Sequence, residues 1–134
     1  MPAPYFAIAP DFDHNVNFIV SEANGFQSRE VGLLDQSPNV YMPGTVLGFV
    51  TATRRFTRLN PAGTDGSQNA VAINANRVDA RDAPTAGTII ARMAEVNGLM
   101  FVIGVQWPAG ITATQRSAAV AQLGDAQRQI LVRT

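Results

Sequence analysis

The residue types that carry out enzyme chemistry are few in this chain of 134 residues. It has no Cys, no Lys and a single His, so the sequence offers no thiolate nucleophile, no Schiff-base amine and no histidine pair. It also lacks a glycine-rich phosphate loop and a G-x-S-x-G nucleophile elbow. Carboxylate pairs that meet only in space are not excluded, but a sugar cleft normally has more aromatic platforms than one Trp and two Tyr. We therefore expect no enzyme and no cofactor.

Residues able to ligate a metal occur together at one place, where Asp11, Asp13 and His14 lie close in sequence. Two carboxylates without a glycine-containing ligand loop are a weak calcium signal. There is no second His and no Cys to complete a zinc site. A lone His in such a segment is more typical of a solvated side chain, so we expect no metal site.

Charge and hydropathy limit the classes of partner. Ten acidic and ten basic residues give a net charge of zero, which argues against nucleic acid, because phosphate binding depends on clustered positive charge. The sequence has no apolar run of about 18 residues and no basic N-terminal region followed by an apolar one, so we expect neither a membrane partner nor a signal peptide. With 46% hydrophobic residues, the chain is expected to fold as one soluble domain with one core, made in the cytoplasm.

The elements that position these residues are predicted to be mostly strands. Residues 28–51 (SREVGLLDQSPNVYMPGTVLGFVT) contain two apolar segments, 31–34 and 45–51, that flank a loop rich in turn formers. In the second segment Val46 and Val50 share one face, while Leu47 and Phe49 share the other. A strand with two apolar faces is expected to be buried on both sides, in a core or an interface. Gly48, in the middle of it, indicates a bulge or a close backbone approach.

Further strands are predicted downstream. Residues 54–59 read as the return strand of a hairpin, with Arg54, Phe56 and Arg58 on a face directed to solvent or a neighbour. In residues 70–75 the alternation places Val71, Ile73 and Ala75 inward and Asn74 and Asn76 outward. Residues 78–87 are predicted to be a polar loop. The remaining predicted strands are residues 88–97 and 99–107, which meet at an Asn97-Gly98 turn, and residues 129–133.

One helix is predicted, over residues 112–126. Thr112 and Gln115 form a capping-box pattern, in which each side chain satisfies an open amide of the first turn. The inward stripe of this helix is narrow and consists of small or aliphatic side chains, namely Ala119, Val120, Leu123 and Ala126. Such a stripe indicates a helix that lies over a sheet.

The first 17 residues form a segment of a different kind. It has three prolines and no periodicity, yet it carries the apolar residues Tyr5, Phe6, Ile8 and Phe12. A segment that orders on a partner keeps such anchors, whereas a plain disordered tail is poor in them. The segment is therefore either an arm that orders on binding or a strap packed on its own domain. Phe18, Ile19 and Val20 would suit strand addition to a partner's sheet edge, and would equally suit the first strand of the domain's own sheet.

Five stretches, taken in order, resemble the head decoration protein family of tailed bacteriophages, the lambda D-like capsid-cementing proteins. They are SEANGFQSRE (21–30), MPGTVLGFVT (42–51), RFTRLNPAGTDGSQNA (55–70), ARMAEVN (91–97) and WPAGITATQRSAAVAQL (107–123). The chain departs from the family pattern at Asp125-Ala126-Gln127-Arg128, where a glycine is expected, which leaves the position of the last strand open. The resemblance implies a virion structural protein on the outer surface of the capsid, whose partner is the major capsid protein. It also implies an N-terminal arm that grips the capsid through Tyr5, Phe6, Ile8, Phe12, Phe18, Ile19 and Val20.

Two strands without a polar face, residues 45–51 and 99–107, favour an oligomer, because a small monomer has room to bury only one such layer. The resemblance implies a homotrimer, with Leu47, Phe49, Phe101 and Trp107 expected at the subunit interface. Such a trimer would bind the expanded head at threefold and quasi-threefold sites and stabilise it against internal DNA pressure. The alternative is a β-rich virion surface module that adheres to a host glycan or protein.

The expected fold is accordingly mainly β. We predict a small β-barrel-like domain of the β-tulip type over residues 18–134, with one helix in its C-terminal half. Residues 1–17 are predicted to be a separate, extended capsid-binding arm.

Overall fold

The computed structural model describes residues 17–24, 27–98 and 104–133. Within them the chain forms eight strands and one helix. These are β1 (Ile19–Glu22), β2 (Arg29–Leu34), β3 (Val46–Val50), β4 (Arg55–Arg58), β5 (Ala72–Asn74), β6 (Thr85–Ile90), β7 (Ala94–Asn97), α1 (Ala113–Leu123) and β8 (Ile130–Arg133). The prediction of a mainly β fold with one helix is confirmed.

Five of the strands close into a small barrel in the order β2-β4-β3-β5-β6. Strand β6 closes it by pairing antiparallel with β2 along its whole length, from Arg29 opposite Ile90 to Leu34 opposite Thr85. The other three strands form a separate sheet in the order β1-β7-β8, in which β1 and β8 are the edges. The first two predicted strands, β2 and β3, are therefore not neighbours, because the return strand β4 lies between them.

Strand β3 lies between two apolar clusters, as its two-faced sequence predicts. Val46 is 1% exposed and belongs to a large cluster that also contains Phe18, Trp107 and Leu123. Leu47, the next residue, is fully buried in a second cluster inside the barrel. Alternate side chains of one strand thus join the two halves of the core.

The close backbone approach predicted at Gly48 is confirmed. A Cβ at this position would lie 2.3 Å from the carbonyl oxygen of Ser67. Ser67 follows a turn in which the Asp65 carboxylate accepts a hydrogen bond from the Ser67 amide at 3.1 Å, and Gly66 has a φ of 105°. The loop between β4 and β5 can therefore pack directly on β3 only because residue 48 has no side chain.

Asn74 was predicted to point outward, and this is wrong. Its side chain is fully buried, and Nδ2 donates to the carbonyl oxygens of Met42 at 3.1 Å and of Asn76. The Asn74 backbone N–H also donates to Thr45, and its carbonyl accepts from Gly44. The amide side chain is buried because it fixes the turn that leads into β3, a contact that alternation along β5 does not reveal.

The predicted strand over residues 88–97 is in fact two strands in different sheets. β6 begins at Thr85, inside the predicted polar loop, and ends at Ile90; β7 begins at Ala94. Between them Met93 has a φ of 49°, so the backbone turns at that residue and passes from the barrel to the other sheet. Residues 99–103 of the next predicted strand lie outside the described residues, and residues 104–107 contribute only an isolated bridge, from Gln106 to Thr45.

The helix begins as predicted and ends earlier. Thr112 is its N-cap, and the reciprocal capping box with Gln115 is present. The helix stops at Leu123, with Gly124 as its C-cap, so Ala126 is exposed instead of completing the inward stripe. Residues 125–128, where the chain departs from the family pattern, form a turn that leads into β8. In this turn the Asp125 carboxylate accepts hydrogen bonds from the amides of Gln127 and Arg128.

Candidate functional site

The residues predicted to contact the capsid fall into two groups along the chain. Tyr5, Phe6, Ile8 and Phe12, together with Asp11, Asp13 and His14, lie outside the described residues. Phe18, Ile19 and Val20 lie within them, and Ile19 and Val20 open β1. The domain's own first strand is thus formed by residues that were also considered for strand addition to a partner.

The three predicted contact residues near β1 have different surroundings. Phe18 is 2% exposed and belongs to the large core cluster, and the partly buried Ile19 packs against the same cluster. Val20 is 57% exposed, at the irregular step of the β1–β7 pairing between Ile19 and Ser21. Only Val20 of these three offers most of its side chain to a partner.

Strand β1 is held firmly at both ends. At its start the Phe18 carbonyl accepts a hydrogen bond from the Asn97 amide at 2.8 Å. At its end the Glu22 carboxylate accepts hydrogen bonds from Ser28 Oγ and from the Arg29 guanidinium, whose Nε lies at 3.0 Å. The Arg29 hydrogen bond is the main reason that the pKa of Glu22 is lowered, with burial acting in the opposite direction.

One side of β1 has no partner strand among the described residues, because β7 pairs only with its other side. An edge strand presents backbone N–H and C=O groups that can pair with an added strand. Asn17 and Phe18 connect residues 1–16 to β1, so the edge and the N-terminal segment are continuous in the chain. This arrangement can support recognition by main-chain hydrogen bonding.

Two of the four residues predicted for the trimer interface are internal. Leu47 is fully buried and Trp107 is 6% exposed, so neither side chain has much surface to give to a second subunit. Phe49 is half-buried and packs edge-on against Phe56, with ring centroids 5.0 Å apart. Phe101 lies outside the described residues.

Sequence analysis did not assign Val31, the most exposed large apolar side chain of the described residues, or its neighbour Leu33 to a contact. Val31 is 79% exposed and Leu33 is 42% exposed on the outer face of β2, opposite Thr88 and Ala86 of β6. The sequence does contain a pattern that indicates this exposure. Val31 and Leu33 lie on one face of the strand, whereas Leu34 lies on the other. Met93 and Leu131 are the other exposed large apolar residues of the described part besides Val20.

The described residues contain no group of three or more His, Cys, Asp or Glu side chains able to hold a metal ion. The largest pKa shift of a carboxyl group in these residues is at the surface, where the Arg81 guanidinium lowers the pKa of Asp79 to about 2. The two side chains form an exposed ion pair, with Arg81 Nη2 2.8 Å from Asp79 Oδ2, in the predicted polar loop. No helix in the described ranges is long and apolar enough to cross a membrane.

Comparison with known protein families gives a match. Residues 13–128 match the family described as bacteriophage lambda head decoration protein D. No curated protein matches the chain. Because the match extends over most of the sequence and over all strands of the barrel, the chain belongs to the bacteriophage head decoration protein family, whose members are structural proteins that bind the capsid of the virion.

Proposed function

We propose that this protein cements the expanded phage head, binding as a homotrimer at threefold and quasi-threefold sites and stabilising the shell against internal DNA pressure. The observation that carries this proposal is the anchored edge strand β1, which follows directly on the apolar N-terminal segment. The proposal assigns residues 1–17 to capsid binding and residues 18–134 to the folded domain. Its partners are the major capsid protein and further copies of the chain, with no role for nucleic acid or a membrane.

The arm is suited to protein recognition by its composition. Residues 1–16 carry Tyr5, Phe6, Ile8 and Phe12 as anchors, and the chain as a whole has no net charge. In strand addition the backbone hydrogen bonds supply affinity and the alternate side chains fix the register. The burial of Phe18 and the Glu22–Arg29 pair hold the start and end of β1, so force on the arm would be transmitted to the domain core.

The proposed trimer is supported by exposed apolar surface. A threefold interface is heterologous, so each subunit needs two different patches. The described residues offer Val31 and Leu33 on β2 and, separately, Val20, Met93 and Leu131 on or beside the β1-β7-β8 sheet. Of the residues expected from the resemblance, Phe49 retains exposed surface for such a contact. Leu47 and Trp107 then support the interface only from inside the domain.

The shell would be stabilised because binding of the protein is thermodynamically linked to the expanded state of the lattice. A ligand that prefers the expanded lattice stabilises it by RT ln(1 + [L]/Kd), which is about 2.7 kcal/mol per site at a hundredfold excess over Kd. Three arms on one trimer make the second and third contacts effectively intramolecular and so raise the overall affinity. Many such sites on one shell would oppose internal pressure without any chemical reaction.

The test is co-sedimentation with purified heads of the phage that encodes the protein. Full-length protein is expected to sediment with expanded heads and not with unexpanded precursor shells. A chain lacking residues 2–16 is expected to keep its fold and its oligomeric mass but to lose head binding. The matched control replaces Tyr5, Phe6, Ile8 and Phe12 with Ser in a full-length arm, which separates the apolar anchors from arm length. Undiminished head binding by both variants would refute the role of the arm.

Adhesion to a host glycan is not proposed as a second function. That alternative depends on exposed aromatic side chains grouped on an outward face. The large apolar side chains exposed in the described part of the chain are Val, Leu and Met.

A further inference from the structure

A groove lies between helix α1 and the end of the β1-β7-β8 sheet. It is lined by Gly98, Trp107, Arg116, Ser117, Val120 and Val132. Its apolar part is continuous with the core, since Trp107 belongs to the large core cluster and the two valines pack against that cluster. Gly98 lies directly on Val132, because a Cβ on Gly98 would be 2.6 Å from Val132 Cγ1.

Among the described residues that line this groove, the charged side chain is Arg116. Arg116 is exposed, and none of the ion pairs within the described residues involves it. A cation beside an apolar groove favours an acidic, apolar occupant.

The N-terminal segment leaves the domain beside this groove. The Phe18 carbonyl accepts from the Asn97 amide at 2.8 Å, and Asn97 is followed by Gly98, which lines the groove. Four residues lie between Phe12 and Asn17, and the five residue steps between them span about 17 Å when extended. A helix with its side chains is about 10–12 Å wide, so a tether of this length is longer than the width of α1.

We propose that residues 11–13, Asp-Phe-Asp, dock in this groove of their own chain when the protein is free in solution. Phe12 packs between Val120 and Val132, and one of the two flanking carboxylates pairs with Arg116. Residues 99–103, which follow Gly98 in the chain and lie outside the described residues, have no charged side chain and so offer no partner for Arg116. This docking goes beyond the proposed cementing role, because it shields an arm anchor until a capsid competes for it.

The docking need not be strong to be populated. A short flexible tether gives an effective concentration in the millimolar range. An intrachain contact with a dissociation constant of about 1 mM would therefore be occupied roughly half of the time. Such a contact is released easily when the arm meets a tighter site elsewhere.

The absence of Cys makes a direct test simple, since a double Cys variant can form only one intrachain disulfide. The test pair is Phe12→Cys with Ser117→Cys in the full-length protein. Ser117 lines the groove. The control pair is Phe12→Cys with Ala118→Cys, which is exposed on the same helix but does not line the groove. After mild oxidation of dilute protein, intact mass is expected to show several-fold more intrachain disulfide in the test pair.

A charge series tests the role of Arg116. Adding Arg116→Glu to the test pair is expected to lower the disulfide yield several-fold, and adding Asp11→Arg and Asp13→Arg is expected to restore it. Arg54→Glu, an exposed charge reversal in the β3–β4 turn, is expected to leave the yield unchanged. In parallel, Phe12→Ala is expected to shift the fluorescence of Trp107, the chain's single tryptophan.

Equal yields in the two Cys pairs, or disulfides only between chains, would overturn the proposal. So would an Arg116→Glu effect that is matched by Arg54→Glu. No capsid takes part in these measurements, so their failure and a failure of head binding are distinguishable.

Discussion

The guanidinium of Arg58 lies over the ring of Tyr41, with its carbon 4.3 Å from the ring centroid. The same group donates hydrogen bonds to Ser37 Oγ and to the carbonyl oxygens of Asn39 and Val40, the last at 2.8 Å. Tyr41 is fully buried, and its hydroxyl donates to the Asp35 carbonyl at 2.9 Å. One side chain of β4 thus holds the loop between β2 and β3 against the barrel.

Arg58→Lys is expected to lower the free energy of unfolding by about 1–3 kcal/mol, because a lysine ammonium cannot reproduce a planar fork that donates to three oxygens. The measurement is urea unfolding at neutral pH. Arg54→Lys is the matched control: Arg54 is exposed in the neighbouring turn, and its replacement is expected to change stability by no more than about 0.5 kcal/mol. Equal effects of the two substitutions would show that the Arg58 contacts contribute nothing.

Gly48→Ala is expected to destabilise the domain by about 1–3 kcal/mol, the usual cost of overpacking. The added methyl would lie 2.3 Å from the Ser67 carbonyl oxygen and 2.7 Å from its Cα, and both are backbone atoms that cannot rotate away. Gly124→Ala provides the control, because its φ is −85° and the nearest atom is 3.3 Å away. Thermal unfolding of the two variants should show a lower midpoint for Gly48→Ala alone; an unchanged midpoint would mean that the Ser67 loop moves freely.

Patterns that depend on neighbouring residues predicted this structure well. The capping box at Thr112, the two-sided burial of β3 and the backbone approach at Gly48 each follow from a few consecutive residues. The order of the strands does not, because it depends on partners distant in sequence. Leu34 of β2 lies beside Phe56 of β4, and no local pattern in either strand indicates that parallel contact.

Candidate site residues were harder to predict for a related reason. An apolar residue in a strand can face the core or a partner, and the alternation is the same in both cases. Leu47 and Trp107 were assigned to an interface and lie inside the domain, whereas Val31 was not assigned and is 79% exposed. Arg58 was expected on an outward face, and its contact with Tyr41 joins residues 17 positions apart.

Glu22→Gln is expected to reveal how the end of β1 depends on pH. The pKa of the Glu22 carboxyl is lowered below its ordinary value of 4.5, chiefly by the hydrogen bonds from Arg29. A carboxyl whose pKa is lower in the folded than in the unfolded chain stabilises the fold above the unfolded value. That stabilisation is lost as the pH falls through the folded pKa.

At neutral pH the Glu22→Gln substitution is therefore expected to lower the free energy of unfolding by about 0.5–1 kcal/mol, as for other partly exposed pairs. The difference from the unsubstituted protein should shrink as the pH falls below 4.5. Urea unfolding at a series of pH values measures this difference, with Asp82→Asn as the control for loss of one exposed carboxylate. A deficit of the Glu22→Gln variant that persists undiminished in acid would show that the Arg29 pair does not act through the charge of Glu22.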